Sequence, residues 1–353
     1  MFHRLPRSIQ TVSTFAISAI AAFSLLNPLT SLAEVPTYHV TDKLHLDGDV
    51  KWDYLTVDAE HRHLFIAHSN RVDVFDVDKK QLAGEILDTP GVHGVALAQE
   101  FDRGFTSNGK SNSVTIFSLS TLKSVGTVST GKNPDAIVYD PASKLVFVGN
   151  GASNSLTPIN AMTGNALTEI ALAGKPEFMA FDGDGHLFVN LEDTNEVAVI
   201  DTRHLTVTAR HDLSAQCDGP TGLSFDTALK RLFVGCQSRK LSIVDVTNWA
   251  ILDTVPIGYG NDATAFDKAA QLTFASNGDG TLSVVAQVDA AHYQVQQTVS
   301  TMPGAKTMAI DPATHKIYLV AAETKKFDGV DSVQSKQRPS FKPGTFTLIT
   351  VSP

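Results

Sequence analysis

Seven positions along the chain, spaced 40 to 44 residues apart, carry side chains whose types could support binding or catalysis. They provide four carboxylates, one imidazole, one hydroxyl and one ammonium group: Asp53, His93, Asp135, Glu177, Thr221, Asp262 and Lys306. Four acids around one narrow opening would repel each other unless a cation, a basic ligand group or Lys306 compensates. An oxygen-rich ring with a single imidazole suits Ca²⁺, Mg²⁺ or a small polar ligand. The metal ligands predicted from this pattern are Asp135, Glu177 and Asp262.

His93 is the best candidate for a catalytic acid or base, because an ordinary imidazole titrates near neutral pH. In that case Asp135 and Glu177 would hold a metal or orient a water molecule, and Lys306 would stabilise an anion on the substrate. The alternative is that His93 only packs beside Gly94. The sequence lacks the short motifs of zinc proteases, phosphate-binding loops, serine hydrolases and haem attachment.

A second series of positions, at the ends of the next strands in each repeat, is rich in asparagine. Its members are His68, Asn108, Asn150, Leu191, Cys236, Asn277 and Ala321, with Glu192 close beside them. The predicted ligand-binding residues combine both series: Asp53, His68, His93, Asn108, Asp135, Asn150, Glu177, Glu192, Asp262, Asn277 and Lys306. The competing interpretation is structural, because Asn and Asp side chains also stabilise turns by bonding backbone amides.

The elements that position these residues form an internal repeat. Each copy begins with a short apolar strand that usually ends in Asp, as in Asp135-Ala-Ile-Val-Tyr-Asp140 and Asp262-Ala-Thr-Ala-Phe-Asp267. A second apolar strand, a third alternating strand and a more polar fourth strand follow, with Gly, Asn, Asp and Pro between them. Four strands in 40 to 44 residues are typical of a propeller blade. The seven copies therefore predict an all-β, seven-bladed β-propeller in which the starts of the innermost strands and the ends of the second strands surround one channel mouth.

The chain also supplies a closure for this ring. The last copy ends at its third strand, Thr345–Val351, and residues 39–48 have the character of the missing fourth strand. Pairing these ends removes an open sheet edge that would promote aggregation. We therefore predict one domain over residues 34–353, with a long loop insertion at 323–344 in the last blade, and a monomeric protein.

The first 33 residues resemble a removable export signal. Arg4 and Arg7 precede an uncharged stretch, and Ser31-Leu32-Ala33 is typical of a cleavage site after Ala33. No later segment is apolar enough to span a bilayer, so we predict a periplasmic or secreted protein. An oxidising compartment would allow Cys217 and Cys236, which fall on the same side of one blade, to form a disulfide. Two buried thiols are the alternative.

The charge balance limits the classes of partner. Removing residues 1–33 leaves 26 basic against 37 acidic residues, a net charge near −11. Nucleic acids and anionic membranes are bound through clustered Lys and Arg, so this balance disfavours both. A small polar ligand or an envelope protein remains as the predicted partner.

Several loops resemble those of a known family. Asn133-Pro-Asp-Ala136 and Pro176-Glu-Phe178 are the most specific, and Phe147-Val-Gly-Asn150 and Phe274-Ala-Ser-Asn277 are related to its naming tetrapeptide. The chain is similar to the YVTN, or YncE-like, family of exported bacterial seven-bladed propellers over all of residues 34–353. The resemblance implies an architecture rather than a reaction. One similar protein is associated with single-stranded DNA, which the acidic balance here argues against. Streptogramin lyases and seven-bladed lactonases resemble the chain more distantly.

Two hypotheses of function follow. The first is a non-catalytic ligand-binding or interaction propeller of the cell envelope that acts through the channel-mouth face. The alternative is a metal-assisted lyase or lactonase-type hydrolase that uses the acidic ring at the same mouth.

Overall fold

A computed structural model describes residues 1–3, 36–325 and 340–353. Within these ranges the strands form seven four-stranded antiparallel sheets. The first strand, β1 (His39–His45), belongs to the last blade; the strands of blades 1 to 3 are β2 (Leu55–Asp58), β3 (His63–His68), β4 (Arg71–Asp76), β5 (Gln81–Ile86), β6 (Val92–Ala98), β7 (Arg103–Asn108), β8 (Ser113–Ser118), β9 (Ser124–Ser129), β10 (Pro134–Asp140), β11 (Leu145–Asn150), β12 (Ser155–Asn160) and β13 (Ile170–Ala171). One short 3₁₀ helix, Gln99–Phe101, lies between β6 and β7.

The remaining four blades repeat the same order from the channel outwards. Their strands are β14 (Pro176–Phe181), β15 (His186–Leu191), β16 (Glu196–Asp201), β17 (Thr206–Asp212), β18 (Pro220–Asp226), β19 (Arg231–Cys236), β20 (Lys240–Asp245), β21 (Ala250–Pro256), β22 (Asn261–Asp267), β23 (Leu272–Asn277), β24 (Thr281–Gln287), β25 (Tyr293–Ser300), β26 (Met308–Ile310), β27 (Ile317–Ala321) and β28 (Thr347–Ser352). The predicted all-β, seven-bladed propeller is confirmed.

The two ends of the chain close the ring. The last blade has the strand order β1-β28-β27-β26, and its register pairs His39 with Ser352 and His45 with Thr347. The predicted fourth strand from the N-terminal side is therefore present and antiparallel to the chain's last strand. This pairing covers the edge of β28 with backbone hydrogen bonds that no other strand supplies.

Burial along the strands explains the alternation seen in the sequence. The middle strands are buried on both faces because neighbouring blades pack against them; β11 is buried at every position, whereas the outermost β17 alternates between exposed and half-buried residues. Phe65 and Phe117 lie 5.8 Å apart between blades 1 and 2, and Phe233 and Phe266 lie 5.3 Å apart between blades 5 and 6. The core therefore runs between blades around the channel.

The Asp that closes most innermost strands has a structural role at the face opposite the mouth. Asp140 is buried and accepts hydrogen bonds from the backbone amides of Ala142 and Ser143, at 3.1 and 3.2 Å. Asp267 does the same for Ala269 and Ala270. These side chains hold the turn into the second strand.

Two predicted features fall wholly or partly outside the described ranges. The export segment at residues 1–33 is described only at residues 1–3, and the 323–344 insertion only at its two ends. At those ends Thr324 pairs with Phe341, and Lys342 bonds Glu323 at 2.8 Å. No helix in the described ranges is long and apolar enough to cross a bilayer.

Candidate functional site

A repeated backbone hydrogen bond brings the two predicted series of loops to one face. The amide of the residue after the second strand donates to the carbonyl of the loop before the innermost strand, as in Gly109 to Gly91 and Gly151 to Asn133, each at 2.9 Å. Blades 4, 5 and 6 repeat this bond. The starts of the innermost strands and the ends of the second strands therefore share the channel mouth.

The entry residues of the innermost strands are positioned by β-bulges. The pairing register shifts between Val92 and Gly94 and again between Asn261 and Ala263, so His93 and Asp262 are the extra residues. A bulge redirects a side chain that regular pairing would turn into the sheet.

Hydroxyl groups from the preceding blade then fix the entry residues in place. Ser107 in blade 2 donates to the carbonyl of Asp135 in blade 3, and Thr307 in blade 7 donates to the carbonyl of Asp53 in blade 1 at 2.9 Å. The mouth is thus tied together from blade to blade, and its side chains are held by strands rather than by free loops.

Asp53, His93 and Asp135 converge at one side of the mouth. His93 Nδ1 lies 2.6 Å from Asp53 Oδ2 and 3.5 Å from Asp135 Oδ1. In the part of the chain that the structure describes, these three form the one group of His, Cys, Asp and Glu residues whose ligating atoms all lie within 4.8 Å of one another. Three separate blades therefore contribute one compact set of nitrogen and oxygen donors.

Two lysines pair with other acids of the mouth. Lys306 Nζ bonds Asp262 Oδ2 at 2.7 Å, and Lys175 Nζ bonds Glu192 Oε2. Glu192 also accepts a hydrogen bond from Gln237 Nε2 at 2.6 Å. These pairs compensate Asp262 and Glu192 within the ring.

Glu177 is left without such a partner. It is only 8% exposed, and its Oε2 has no hydrogen-bond donor among the described residues. The nearest cation is Lys175 Nζ, at 3.7 Å, beyond hydrogen-bonding distance. An unpaired buried carboxylate oxygen costs free energy that a well-paired group would not.

Two aromatic rings form the floor beneath the acids. Tyr54 and Phe178, each following an acidic entry residue, meet edge to face with ring centroids 5.2 Å apart. They line a cavity of about 50 Å³ between the innermost strands of blades 1 to 4, together with Gly94, Ala136 and Ile137. This volume holds at most a water molecule or two, and none of the acidic entry residues lines it.

Burial and crowding of charge shift the titration of the mouth. Burial is the main cause that raises the pKa of Asp135, to about 6. The charge of His93 opposes this increase, and the charge of Asp53 adds to it. Burial and the charge of Asp135 raise the pKa of Glu177 to about 8. Burial opposes ionisation of His93, but its hydrogen bond to Asp53 and the charge of Asp135 raise its pKa to about 9. At neutral pH Glu177 and His93 therefore hold protons that they would largely lose in water, whereas Asp135 is mostly ionised.

Four acids of the mouth act on the titration of Tyr54. Burial raises the pKa of Tyr54 well above its ordinary value, and four carboxylates then add to it: those of Glu177, Asp262, Asp135 and Asp53. These acids come from blades 4, 6, 3 and 1.

The second predicted series has a different environment. Asn108 Nδ2 bonds Thr115 at 2.9 Å, Asn150 Nδ2 bonds Thr157 at 2.9 Å, and Asn277 makes the same kind of contact to Ser283. All three asparagines are fully buried. Their side-chain bonds connect the second and third strands of one blade, as the structural interpretation expects.

His68 and Thr221 are likewise engaged away from the ring. His68 is fully buried, with Nδ1 2.5 Å from Asp73 and Nε2 2.8 Å from the carbonyl of Asp49. The hydroxyl of Thr221 donates to the carbonyl of Asn261 at 2.8 Å. The structure thus brings together Asp53, His93, Asp135, Glu177, Glu192, Asp262 and Lys306 from the two series.

Three contributors to the site were missed in the sequence. Lys175 is in the loop before Pro176, so it falls outside both series. Tyr54 belongs to an apolar segment, so nothing in the sequence distinguishes it from a core residue. Gly109 matters because a Cβ there would lie 2.6 Å from His93 Nε2, so only glycine leaves room for the imidazole. Its place directly after Asn108 was the available signal.

The two cysteines and Trp52 also have clear positions. Cys217 and Cys236 form a disulfide with Cα atoms 5.4 Å apart, which confirms that prediction. Trp52 packs against Phe341 and Phe346, with ring centroids at 4.7 and 5.5 Å. It anchors the base of the 323–344 insertion beside the mouth.

Comparison with known proteins supports the fold. The sequence matches no protein-family model and no curated protein. Among solved structures, a chain of hydrazine synthase from Kuenenia stuttgartiensis is similar with a TM-score of 0.67 and 14% identity, covering 78% of this chain and 94% of that one. A chain of the mitotic checkpoint complex has a TM-score of 0.71 and 13% identity, covering 88% of this chain and 96% of that one. At such identities the similarity concerns the propeller architecture alone.

Proposed function

We propose that the protein is an exported ligand-binding propeller of the cell envelope, which holds a small, positively charged ligand at its channel mouth. The observation that carries this proposal is Glu177, a buried carboxylate whose Oε2 has no donor among the described residues. A protein keeps a costly group of this kind where a ligand supplies the missing partner.

The surrounding charges favour a cation over an anion. Five carboxylates meet at the mouth, namely Asp53, Asp135, Glu177, Glu192 and Asp262, and the bases are His93, Lys175 and Lys306. An acidic cleft with low-dielectric walls concentrates cations and repels anions. The aromatic floor of Tyr54 and Phe178 adds ring faces or edges for a ligand to rest on.

The location in the envelope has separate support. The export segment predicted at residues 1–33 would deliver the protein to an oxidising compartment, where a disulfide such as Cys217–Cys236 is stable. The YVTN resemblance is in agreement with this location.

The proposal is tested by ligand-induced thermal stabilisation. The probes are divalent metal chlorides, small primary amines and neutral monosaccharides, applied to the wild type, Glu177→Gln and Glu100→Gln. Glu100 is a matched control because it lies at the opposite face and is already paired with Lys144, at 2.7 Å. A cation at 100 times its Kd should stabilise the wild type by about 2.7 kcal/mol.

We expect Glu177→Gln to lose most of this stabilisation and Glu100→Gln to keep it. Stabilisation by neutral sugars alone, or equal stabilisation of both variants, would contradict the proposal.

A metal-assisted lyase or lactonase is the second candidate, favoured by the donor set of Asp53, His93 and Asp135. In this candidate His93 would help to hold the metal, which would polarise the lactone carbonyl. Lactone hydrolysis that disappears on chelation and in His93→Gln would support this activity over simple binding. Purified protein that turns over no lactone with added divalent metal would count against it.

A further inference from the structure

A histidine beside one aspartate is a recurrent turn device in this chain and does not by itself indicate a ligand site. Five such pairs have Nδ1 to carboxylate distances of 2.6 to 2.8 Å: His61–Asp58, His186–Asp182, His204–Asp201, His292–Asp289 and His315–Asp267. In four of them the Asp also accepts the backbone amide of the histidine, three or four residues further on, and these contacts stabilise turns locally. His315 and Asp267 instead lie in neighbouring blades, and Asp267 accepts two amides of its own turn.

His93 differs from these pairs because two carboxylates from two other blades approach the same nitrogen. Asp53 and Asp135 are separated from His93 by 40 and 42 residues in sequence, so the contact does not belong to any turn. Both acids are more than half buried, as is the imidazole. The fold therefore assembles these donors from three separate strands.

The charges around the set favour a cation. Lys306 is paired with Asp262, and Lys175 with Glu192. Three carboxylates then remain, those of Asp53, Asp135 and Glu177, with a single imidazole among them. With His93 neutral, as it must be to bind a metal through Nδ1, the ionised forms of these three carboxylates have no cation beside them other than Lys175, which lies 3.7 Å from Glu177.

Glu177 is the second, independent sign of a ligand. It is more than nine-tenths buried and its Oε2 is without a hydrogen-bond donor among the described residues. It stands at the start of the innermost strand of blade 4, as Asp135 does in the neighbouring blade 3, so both belong to the same mouth. A cation there would give this oxygen a partner.

We propose that Asp53, His93 and Asp135 bind a first-row divalent transition-metal cation, such as Zn²⁺ or Mn²⁺, with Glu177 as the adjacent fourth carboxylate. This inference rests on the proposed function, since it names the cation that the mouth would hold. Ligand atoms about 2.0 to 2.2 Å from such an ion lie roughly 3 to 3.5 Å apart. The 3.5 Å between His93 and Asp135 already fits this spacing, and the 2.6 Å contact to Asp53 would open by less than about 1 Å.

The donor types select among metals. Ca²⁺ and Mg²⁺ prefer all-oxygen sites, whereas an imidazole beside carboxylates suits zinc, manganese and iron. The set therefore differs from the predicted Asp135, Glu177 and Asp262, and its chemistry favours a metal softer than the predicted Ca²⁺ or Mg²⁺.

The test is isothermal titration of the purified, chelator-treated protein with ZnCl₂, MnCl₂ and CaCl₂. We expect one equivalent of Zn²⁺ to bind the wild type, with affinity at least tenfold above that for Ca²⁺. His93→Gln should weaken Zn²⁺ binding at least tenfold. His315→Gln is the matched control because it removes an imidazole with a 2.6 Å aspartate contact at the opposite face, and it should leave the titration unchanged.

A glycine pair tests the geometry while all the ligands are kept. In Gly109→Ala the new Cβ would lie 2.6 Å from His93 Nε2, whereas in Gly151→Ala the nearest atom is 3.4 Å away. We expect Gly109→Ala to weaken Zn²⁺ binding and Gly151→Ala to retain it. This pair decides the question if thermal denaturation shows that His93→Gln is unfolded.

Wild-type protein that binds neither Zn²⁺ nor Mn²⁺, or equal losses in His93→Gln and His315→Gln, would overturn the metal site. If metals fail but small amines stabilise the wild type and not Glu177→Gln, the metal inference is wrong and the proposed function stands. If amines fail as well, both are wrong.

Discussion

Replacing Glu177 by glutamine should stabilise the ligand-free protein at alkaline pH and leave its stability unchanged at acidic pH. Burial and the charge of Asp135 raise the pKa of Glu177 from 4.5 to about 8. The folded protein therefore holds this proton more tightly than the unfolded chain does. The contribution is fully present below about pH 4.5 and is lost as the pH rises through about 8. Glutamine keeps the shape of the protonated group and carries no charge at any pH.

The raised pKa sets the size of the effect. Each unit of pKa difference is worth about 1.4 kcal/mol, so the rise from 4.5 to about 8 corresponds to about 5 kcal/mol of unfolding free energy lost at high pH. Asp135 shares the same excess charge, and its pKa is raised to about 6, so protonation of one group relieves the other. We expect Glu177→Gln to add about 2 to 5 kcal/mol at pH 9, or about 3 to 8 °C in Tm for a domain of this size.

The assay is thermal denaturation followed by circular dichroism at pH 5, 7 and 9, with chelator present. Glu100→Gln is again the control, because the hydrogen bonds from Lys144 and Tyr139 lower the pKa of Glu100. The stability that Glu100 contributes is present above its ordinary pKa and is lost as the pH falls. Glu100→Gln should therefore destabilise the protein near neutral pH, opposite in sign to Glu177→Gln. A Tm difference for Glu177→Gln that is constant from pH 5 to pH 9, or that reverses sign at pH 9, would refute the reasoning.

Three further predictions concern the fold that carries the mouth. Replacing Cys217 and Cys236 by serine opens a cross-link between residues 19 apart and should lower the free energy of unfolding by about 3 kcal/mol, measured by urea denaturation; unchanged stability would contradict this. Val40→Asp places a charge in β1 against the buried core and should release β1, which exposes the edge of β28. Size-exclusion chromatography should then detect oligomers, whereas a stable monomer would show that closure does not depend on β1. Asp140→Ala removes two buried amide contacts and should cost about 1 to 3 kcal/mol by the same denaturation, whereas a neutral result would argue against the turn role.

The fold was predictable because the sequence contains the same strand pattern seven times. A closing strand was expected at residues 39–48 opposite Thr345–Val351, and the structure pairs His39–His45 with Thr347–Ser352. Alternation of apolar residues fixes which strands are buried, and a near-constant spacing fixes the blade. The disulfide followed from placing both cysteines at one end of the same blade.

The site was predictable only as a ring of positions. Sequence spacing could identify the entry residues but not the bulges that turn His93 and Asp262 toward the channel. It also could not separate acids that are hydrogen-bonded to a lysine from Glu177, which has only the 3.7 Å contact to Lys175, because Lys175 lies outside the repeat series. From the sequence, the asparagines of the second series could equally form a ring of ligand-binding residues. In the structure, each forms side-chain hydrogen bonds between two strands of its own blade.

The most direct test of the central claim, that the mouth is short of positive charge and takes a divalent cation, is an anomalous difference map. Crystals would be soaked in ZnCl₂ and measured at the zinc absorption edge. We predict one peak at the mouth, about 2.0 to 2.2 Å from ligating atoms of Asp53, His93 and Asp135. A mouth without a peak, or zinc found only at surface histidines such as His315, would contradict the claim.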